Sequence, residues 1–165
     1  MATTLPVAIE FELPHGWRAA PPDEVGAPDT AFIALHPQPD AGFTANITID
    51  GEYLPDSATL REIADGSVAR VRKAGAVVEI TDRREMGSKE VPGLIQKLAI
   101  AATVSGVPRD LVQTQAYLCL LDVADPHKRA VIRLVLTSTA AQHQAVVGDF
   151  EDFVRTVRPG TRAVS

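Results

Sequence analysis

The side chains that could do chemistry begin with a single cysteine, Cys119, since a thiolate can act as a nucleophile or a metal ligand. It lies between Leu118 and Leu120 in an apolar run, and no histidine is near it in the sequence. A catalytic thiol needs a neighbouring base and a lowered pKa. The pattern therefore predicts a packed structural cysteine, because free cysteines are often buried. One cysteine also excludes an internal disulfide.

Histidines are the other candidates for acid–base chemistry or metal binding. The four are His15, His36, His127 and His143. Three fall in predicted loops or turns and one near a predicted helix start, without metal-ligand spacing, so we predict surface positions for all four. Asp122 and Asp125 lie beside one of them in an acid-rich turn, but the spacing is not that of a calcium loop. We therefore predict no catalytic residue, no metal site and no cofactor.

The totals of the chain describe an ordinary globular protein. It has 165 residues, 45% hydrophobic and 22% charged, with a net charge of −5. This length predicts one domain, with an ordered core over about residues 7–159. The negative charge argues against a general nucleic-acid binder, and we expect no membrane insertion because no apolar run is long enough to span a bilayer. The N-terminal residues show no signal-peptide pattern, so we expect a cytoplasmic protein.

Three long runs rich in Val, Ile, Leu and Thr dominate the second half of the chain. They cover residues 94–105, 111–123 and 129–138, and short segments with Pro, Gly and Asp separate them. This arrangement is typical of an antiparallel meander. Residues 18–28, rich in Pro, Ala and acidic residues, predict a surface loop. Further strands are predicted over residues 9–13, 31–35, 45–54 and 77–85.

Two amphipathic segments predict helices. The first covers about residues 59–74 and opens with a capping box, in which Thr59 and Glu62 bind each other's backbone N–H groups. The second covers about residues 140–157 and ends before Pro159-Gly160. The predicted order is βββαββββα. The fold class is therefore α+β, with an antiparallel sheet of about six to seven strands and two main helices packed on it.

Alternation along the meander sorts its side chains into two faces. One face, predicted to lie under a helix, carries Leu98, Ile100, Ala102, Val104, Ala116, Leu118, Leu120, Ile132, Leu134 and Leu136. The other carries Lys97, Ala99, Ala101, Thr103, Gln113, Gln115, Tyr117, Cys119, Arg133, Val135 and Thr137. An antiparallel sheet can leave one face exposed, and small apolar residues framed by polar ones could receive a partner.

From this mixed face we predict a partner-binding surface. Its residues are Ala101, Gln113, Gln115, Tyr117 and Arg133. The alternative is that the second helix or the long loop covers the face.

A strand end near the N-terminus carries a resemblance. Residues 11–17 read Phe-Glu-Leu-Pro-His-Gly-Trp, a pattern of the type apolar-x-Leu-Pro-x-Gly-Trp. With Ala-Asn-Ile-Thr-Ile at residues 45–49 and Phe-Glu-Asp-Phe-Val-Arg-Thr-Val at residues 150–157, it resembles the PsbP-like α/β/α sandwich domains. Within them the chain is most similar to the actinobacterial LpqN lipoprotein group and the bacterial DcrB-like proteins. The order of elements agrees over nearly the whole chain.

Members of this fold act as accessory and binding proteins, among them a photosystem assembly factor, a GTPase-binding import factor and chaperones of secreted toxins. The resemblance implies a non-enzymatic protein-binding module, a cytoplasmic adaptor or secretion-associated chaperone, whose partner is another protein. A homodimer is left open. The alternatives are a small-molecule-binding protein with a pocket between sheet and helices, and a cell-envelope lipoprotein relative, which requires a lipobox leader.

Overall fold

A computed structural model of the chain describes residues 5–22, 30–54, 58–87, 92–104, 106–121 and 129–160. The helices in these residues are α1 (Leu60–Lys73) and α2 (His143–Thr156). The strands in these residues are β1 (Ile9–Glu10), β2 (Arg18–Ala20), β3 (Phe32–Leu35), β4 (Asn46–Tyr53), β5 (Val77–Gly87), β6 (Pro92–Val104), β7 (Val107–Leu121), β8 (Arg129–Thr139) and β9 (Arg158–Pro159).

Seven of these strands form one antiparallel sheet in the order β2-β3-β4-β8-β7-β6-β5, and β1 pairs with β9 in a two-stranded sheet. The central meander β6-β7-β8 is the predicted one, with Val104 opposite Val107 across its first turn. The prediction of an α+β fold, with an antiparallel sheet of about six to seven strands and two main helices, is confirmed.

Both helices start near the residues predicted from the sequence. The Thr59 hydroxyl accepts from the Glu62 backbone N–H at 3.2 Å, and Oε1 of Glu62 accepts from the Thr59 backbone N–H at 3.1 Å. This reciprocal pair fixes the start of α1. The Thr139 hydroxyl likewise accepts from the Gln142 backbone N–H at 3.1 Å, but the residues between them form a turn. As a result α2 begins at His143, three residues later than predicted.

Each helix covers its own face of the sheet. On the α2 face the aromatic rings of Phe150 and Phe153 are buried. Trp17 is buried with them, and its Nε1 donates to Oδ2 of Asp149 on α2 at 3.1 Å. The aliphatic residues buried beside them include Ile47, Ile49, Ile132, Leu134, Leu136 and Val146. Because burial of apolar area is the main stabilising term, these residues anchor the helix.

On the opposite face, called the α1 face, two smaller clusters are buried under α1. One consists of Leu54, Ala64, Leu94, Tyr117, Cys119 and Val131. The other consists of Val68, Val78, Leu98, Ile100 and Leu111. The sheet is therefore the middle layer between two helices.

The predicted faces of β6 are wrong. Leu98 lies opposite Gln113, and Lys97 lies opposite Thr114. The tight turn before β7 sets this register, and a shift of one residue moves every side chain to the other face. The even-numbered residues Leu98, Ile100, Ala102 and Val104 therefore lie on the α1 face. The odd-numbered residues Lys97, Ala99, Ala101 and Thr103 lie on the α2 face.

Two short strands were not predicted. The predicted loop over residues 18–28 contains β2, in which Arg18 pairs with Leu35. The predicted helix stop at Pro159 contains β9, in which Pro159 pairs with Ile9. Both are edge strands of two or three residues, too short for side-chain alternation to show.

The turn with Asp122, Asp125 and His127 lies outside the described residues.

Candidate functional site

The predicted partner-binding residues do not share one open face. Gln113, Gln115, Tyr117 and Arg133 do lie on the α1 face. However, Gln115 is 3% exposed and Tyr117 is fully buried. Ala101 is exposed, but it lies on the α2 face. The expectation of an open face was wrong because α1 packs over the middle of it, while α2 packs on the opposite face.

A cleft remains between the C-terminal half of α1 and the sheet, and we call it the α1 cleft. It consists of two adjoining hollows that share Arg70 and Val71. The larger, about 520 Å³, is mainly apolar and is also lined by Ala74, Gly75, Ala76, Ile100, Ala102, Thr103, Leu111 and Gln113. The smaller, about 370 Å³, is also lined by Asp50, Ser67, Gln115 and Arg133. Most of its lining residues are polar or charged, and we call it the polar hollow for that reason. Three of the five predicted residues therefore line this cleft.

An ion pair closes the polar end of the α1 cleft. The Arg133 guanidinium donates to Asp50, lies 3.7 Å from Glu52, and stands over the Tyr117 ring at 5.6 Å from its centroid. The two paired side chains are only 13% and 20% exposed, for Arg133 and Asp50 respectively. Burial raises the pKa of Asp50, while the charges of Arg133 and Arg70 oppose that rise.

Two donors near this ion pair have spare capacity. The Nε atom of Arg133 is buried and finds no acceptor among the described residues. The Arg70 guanidinium is exposed and donates to the Ser67 hydroxyl at 3.2 Å. A buried donor without an acceptor is unfavourable. The exposed Arg70 guanidinium is the one that a ligand in the cleft can reach.

The floor of the α1 cleft is a chain of hydrogen-bonded amides. Nε2 of Gln96 and the Tyr117 hydroxyl both donate to Oε1 of Gln115, each at 2.7 Å. Nε2 of Gln115 donates to Oε1 of Gln113 at 2.8 Å, and Nε2 of Gln113 donates to the Thr137 hydroxyl at 3.1 Å. The chain holds each side chain in one orientation, so the polar floor is preorganised.

Gln96, which sequence reasoning missed, links this floor to α1. Its Nε2 donates to the Ala64 carbonyl at 3.3 Å. Its Oε1 accepts from Nε and one terminal nitrogen of Arg83 at 2.9 and 2.6 Å. Arg83 in turn donates to Asp65 at 2.6 Å. Because the two faces of β6 were predicted the wrong way round, the sequence analysis did not place Gln96 beside Gln115.

His143 is buried at the start of α2, so its predicted surface position is wrong. Its Nδ1 lies 2.7 Å from the Ser138 hydroxyl, and its Nε2 lies 2.8 Å from the Thr114 hydroxyl. Burial, with a smaller effect of the Lys97 charge, lowers its pKa to about 4. A serine beside a histidine can be a nucleophile, but Ser138 is fully buried and both ring nitrogens are occupied. We therefore interpret His143, Ser138 and Thr114 as a buried structural hydrogen-bond network.

The remaining candidates in the described residues are Cys119, His15 and His36. Cys119 is a buried free cysteine, as predicted, and burial raises the pKa of its thiol. His15 is exposed, and Nδ1 of His36 accepts from the Gln38 backbone N–H at 3.1 Å. In the part of the chain that the structure describes, side chains of the metal-binding types do not converge in groups of three or more. None of the described helices is long and apolar enough to cross a membrane.

The chain has the PsbP-like fold. It superposes on LpqN of Mycobacterium tuberculosis, a protein involved in cell envelope biogenesis, with a TM-score of 0.63 at 12% identity, covering 92% of this chain and 84% of that one. It superposes on the Ran-binding protein Mog1p of Saccharomyces cerevisiae with a TM-score of 0.60 at 15% identity, covering 92% and 90%.

A third solved structure, the cyanobacterial PsbP of Synechocystis, superposes with a TM-score of 0.57 at 12% identity and covers 92% of this chain and 86% of that one. No family model and no curated protein matches the sequence. At these identities the likeness shows the shared fold, and the predicted resemblance to PsbP-like domains and to LpqN is confirmed at that level.

Proposed function

We propose that the protein is a non-enzymatic protein-binding module, an adaptor or a secretion-associated chaperone, and that its partner binds in the α1 cleft. The observation that carries the proposal is the composition of the cleft. An apolar hollow lined by Val71, Ile100 and Leu111 adjoins a polar hollow that ends at Arg133 and Asp50. An apolar centre with a polar rim is the usual composition of a protein–protein interface.

The state of the reactive side chains supports a non-enzymatic role. Catalytic thiols have a lowered pKa, whereas burial raises that of Cys119. The His143 imidazole is enclosed between two hydroxyls, so no substrate proton can reach it. The fold comparison gives further support, since Mog1p, which has this fold over 92% of the chain, is a Ran-binding protein.

Charge reversal at the rim of the cleft tests the proposal. Arg70→Glu places a carboxylate at the junction of the two hollows, on an exposed helix position. Arg61→Glu is the matched control, because it makes the same charge change at an exposed position of the same helix that does not line the α1 cleft. Tagged protein with each change is used to recover partners from lysate of the source cells, and the recovered proteins are quantified by mass spectrometry.

A stoichiometric protein that Arg61→Glu retains and Arg70→Glu loses supports binding in the α1 cleft. Equal recovery with both variants would place the partner elsewhere on the surface. Recovery of no stoichiometric protein with the unchanged sequence would contradict the binding module itself.

A small-molecule ligand is the second candidate function, favoured by the exposed Arg70 guanidinium at the junction of the two hollows. A ligand with an apolar body and an acceptor group would fill both hollows. It would raise the melting temperature of the protein, because a ligand that binds only the native state stabilises it. A thermal-shift screen of metabolites, repeated with Arg70→Glu, separates this function from protein binding. The cytoplasmic location stays a prediction.

A further inference from the structure

The sheet ends at a long edge strand, β5. It runs for 11 residues and, within the described residues, pairs with β6 alone. Val77 is 73% exposed and Ile80 is 38% exposed, although both are large apolar residues. An edge strand offers unpaired backbone N–H and C=O groups along its free side, which can pair with another strand.

Two residues of unlike charge on the α2 face of β5 are paired with uncharged residues of β6. Glu79 lies opposite Ala99 on β6, and Arg84 lies opposite Ile95. The ion pair between Arg84 and Asp82 is 4.0 Å long and exposed on both sides. Exposed pairs of this length contribute little. Glu79 and Arg84 are therefore available to a strand that approaches from beyond the edge.

A β-bulge in the middle of β5 decides which side chains share a face. The register with β6 shifts between Ile80 and Asp82. Because of this extra residue, Val77 and Glu79 lie on the same face as Arg84 and Met86. An antiparallel neighbour can place side chains opposite each other only if they share a face of the joined sheet. Val77 and Glu79 can therefore lie opposite Met86 and Arg84 of an identical strand.

We propose that β5 pairs antiparallel with β5 of a second copy of this chain, about a twofold axis beside Thr81. In this register Glu79 lies opposite Arg84 of the second copy, and Val77 lies opposite Met86 of the second copy. Twofold symmetry repeats both pairs on the other side of the axis. The sheet becomes continuous across the two copies, and the β5 edge of each copy is closed.

Charge selects this register over its neighbours. A shift of two residues in one direction would put Glu79 opposite Asp82, and two carboxylates facing each other are destabilising. A shift of two in the other direction would put Glu79 opposite Met86, which leaves the carboxylate without a cation. The proposed register is therefore the one that pairs Glu79 with an arginine.

The α1 face of the same strand offers a further complementary contact. Arg72 of α1 reaches the edge, where its guanidinium donates to the Val78 carbonyl at 3.1 Å. In the proposed register Glu85 of the second copy lies opposite Val78. A carboxylate of the second copy would thus approach the Arg72 guanidinium. This interface is separate from the α1 cleft and does not depend on the proposed function.

Charge-reversal variants of the full chain test the interface by sedimentation velocity over a wide range of protein concentration. We expect a dimer for the unchanged protein. Glu79→Arg and Arg84→Glu each put like charges opposite each other twice, so each variant is expected to raise the dimer Kd by at least about tenfold. The control Gln144→Arg adds a charge at an exposed position of α2 and is expected to leave the dimer intact.

A mixture of the two variants is the decisive sample. A copy with Glu79→Arg and a copy with Arg84→Glu again place opposite charges across both contacts, so the mixture is expected to form a heterodimer. The double variant, which carries both Glu79→Arg and Arg84→Glu, is likewise expected to form a dimer. A monomer at all concentrations, a dimer that survives both single reversals, or a mixture that stays monomeric would each overturn the proposal.

Discussion

Gln96 and Gln115 lie opposite each other on β6 and β7, and the side-chain amide of Gln96 donates to that of Gln115 at 2.7 Å. This bond joins two sets of contacts. On one side Gln96 holds Arg83 and the Ala64 carbonyl of α1, and on the other side Gln115 holds the polar floor of the α1 cleft. The position of α1 over the sheet is therefore coupled to the floor of the proposed binding site.

Replacing Gln96 with Leu should destabilise the protein. Gln96 is fully buried, and its loss would leave the Arg83 guanidinium without this acceptor. The Tyr117 hydroxyl and the Ala64 carbonyl would each lose a donor. Unsatisfied buried groups cost about 1–3 kcal/mol each, so we expect a loss of about 2–4 kcal/mol in the free energy of unfolding. Urea denaturation measures it, with Gln144→Leu at an exposed position as control. A loss no larger than that of the control would refute the coupling.

The stability of the fold should depend on the protonation of His143. Its pKa is about 4 in the folded protein against an ordinary value of 6.5, so the folded state disfavours the charged ring. This contribution is fully present above pH 6.5 and is lost as the pH falls toward 4, which amounts to about 3 kcal/mol.

Variants separate the contribution of His143 from that of the carboxylates, which titrate in the same pH range. The unfolding free energy of the unchanged protein should decrease between pH 7 and pH 4.5. In His143→Gln much of this decrease should be absent, as measured by urea denaturation at each pH. His15→Gln, at an exposed histidine, should keep the decrease of the unchanged protein. Identical pH profiles for all three proteins would show that His143 is not held neutral.

The ion pair at the end of the α1 cleft should matter more for stability than an ion pair on the surface. Asp50→Asn leaves the half-buried Arg133 without its main counter-charge, and we expect a loss of about 2–4 kcal/mol. Asp152→Asn removes the partner of Arg155 in a pair that is more than 70% exposed on both sides, and we expect a change below about 0.5 kcal/mol. Equal effects in thermal or urea unfolding would contradict the burial of the first pair.

Local signals predicted the elements that depend on local contacts. The Thr59 and Glu62 capping box predicted the start of α1 because its two hydrogen bonds lie within one turn. The long strands β7 and β8 were predicted because their apolar residues alternate with polar ones or form continuous apolar runs. The two-residue strand β9 could not be predicted, since its pairing with β1 depends on residues about 150 positions away in the chain.

The faces of β6 show where a pattern is ambiguous. Leu94 and Leu98 at even positions and Ile95 at an odd position are all buried, so apolar side chains lie on both faces. Alternation cannot choose a face in such a strand, and the turn before β7 decides it. Because of this error, the partner-binding prediction included Ala101, which lies on the other face of the sheet. Gln113, Gln115 and Arg133 were placed on a common face because the meander strands β7 and β8 alternate more clearly.

The burial of His143 had a signal that was not used. His143 lies three residues before Val146 and seven before Phe150, which puts it on the same apolar stripe of α2. A polar residue on such a stripe is buried and needs hydrogen-bond partners. Its partners Ser138 and Thr114 lie on two different strands, so the sequence alone could not supply them.

Photo-crosslinking from the α1 cleft tests the central proposal most directly. A photoreactive phenylalanine analogue replaces Ala74, an exposed residue that lines the apolar hollow, and in a second strain it replaces Gln144 on the opposite side of the sheet. If a partner protein binds in the α1 cleft, irradiated source cells will yield a discrete protein adduct from position 74 and none from position 144. An adduct from position 144 alone, or no protein adduct from position 74, would contradict the proposed binding site.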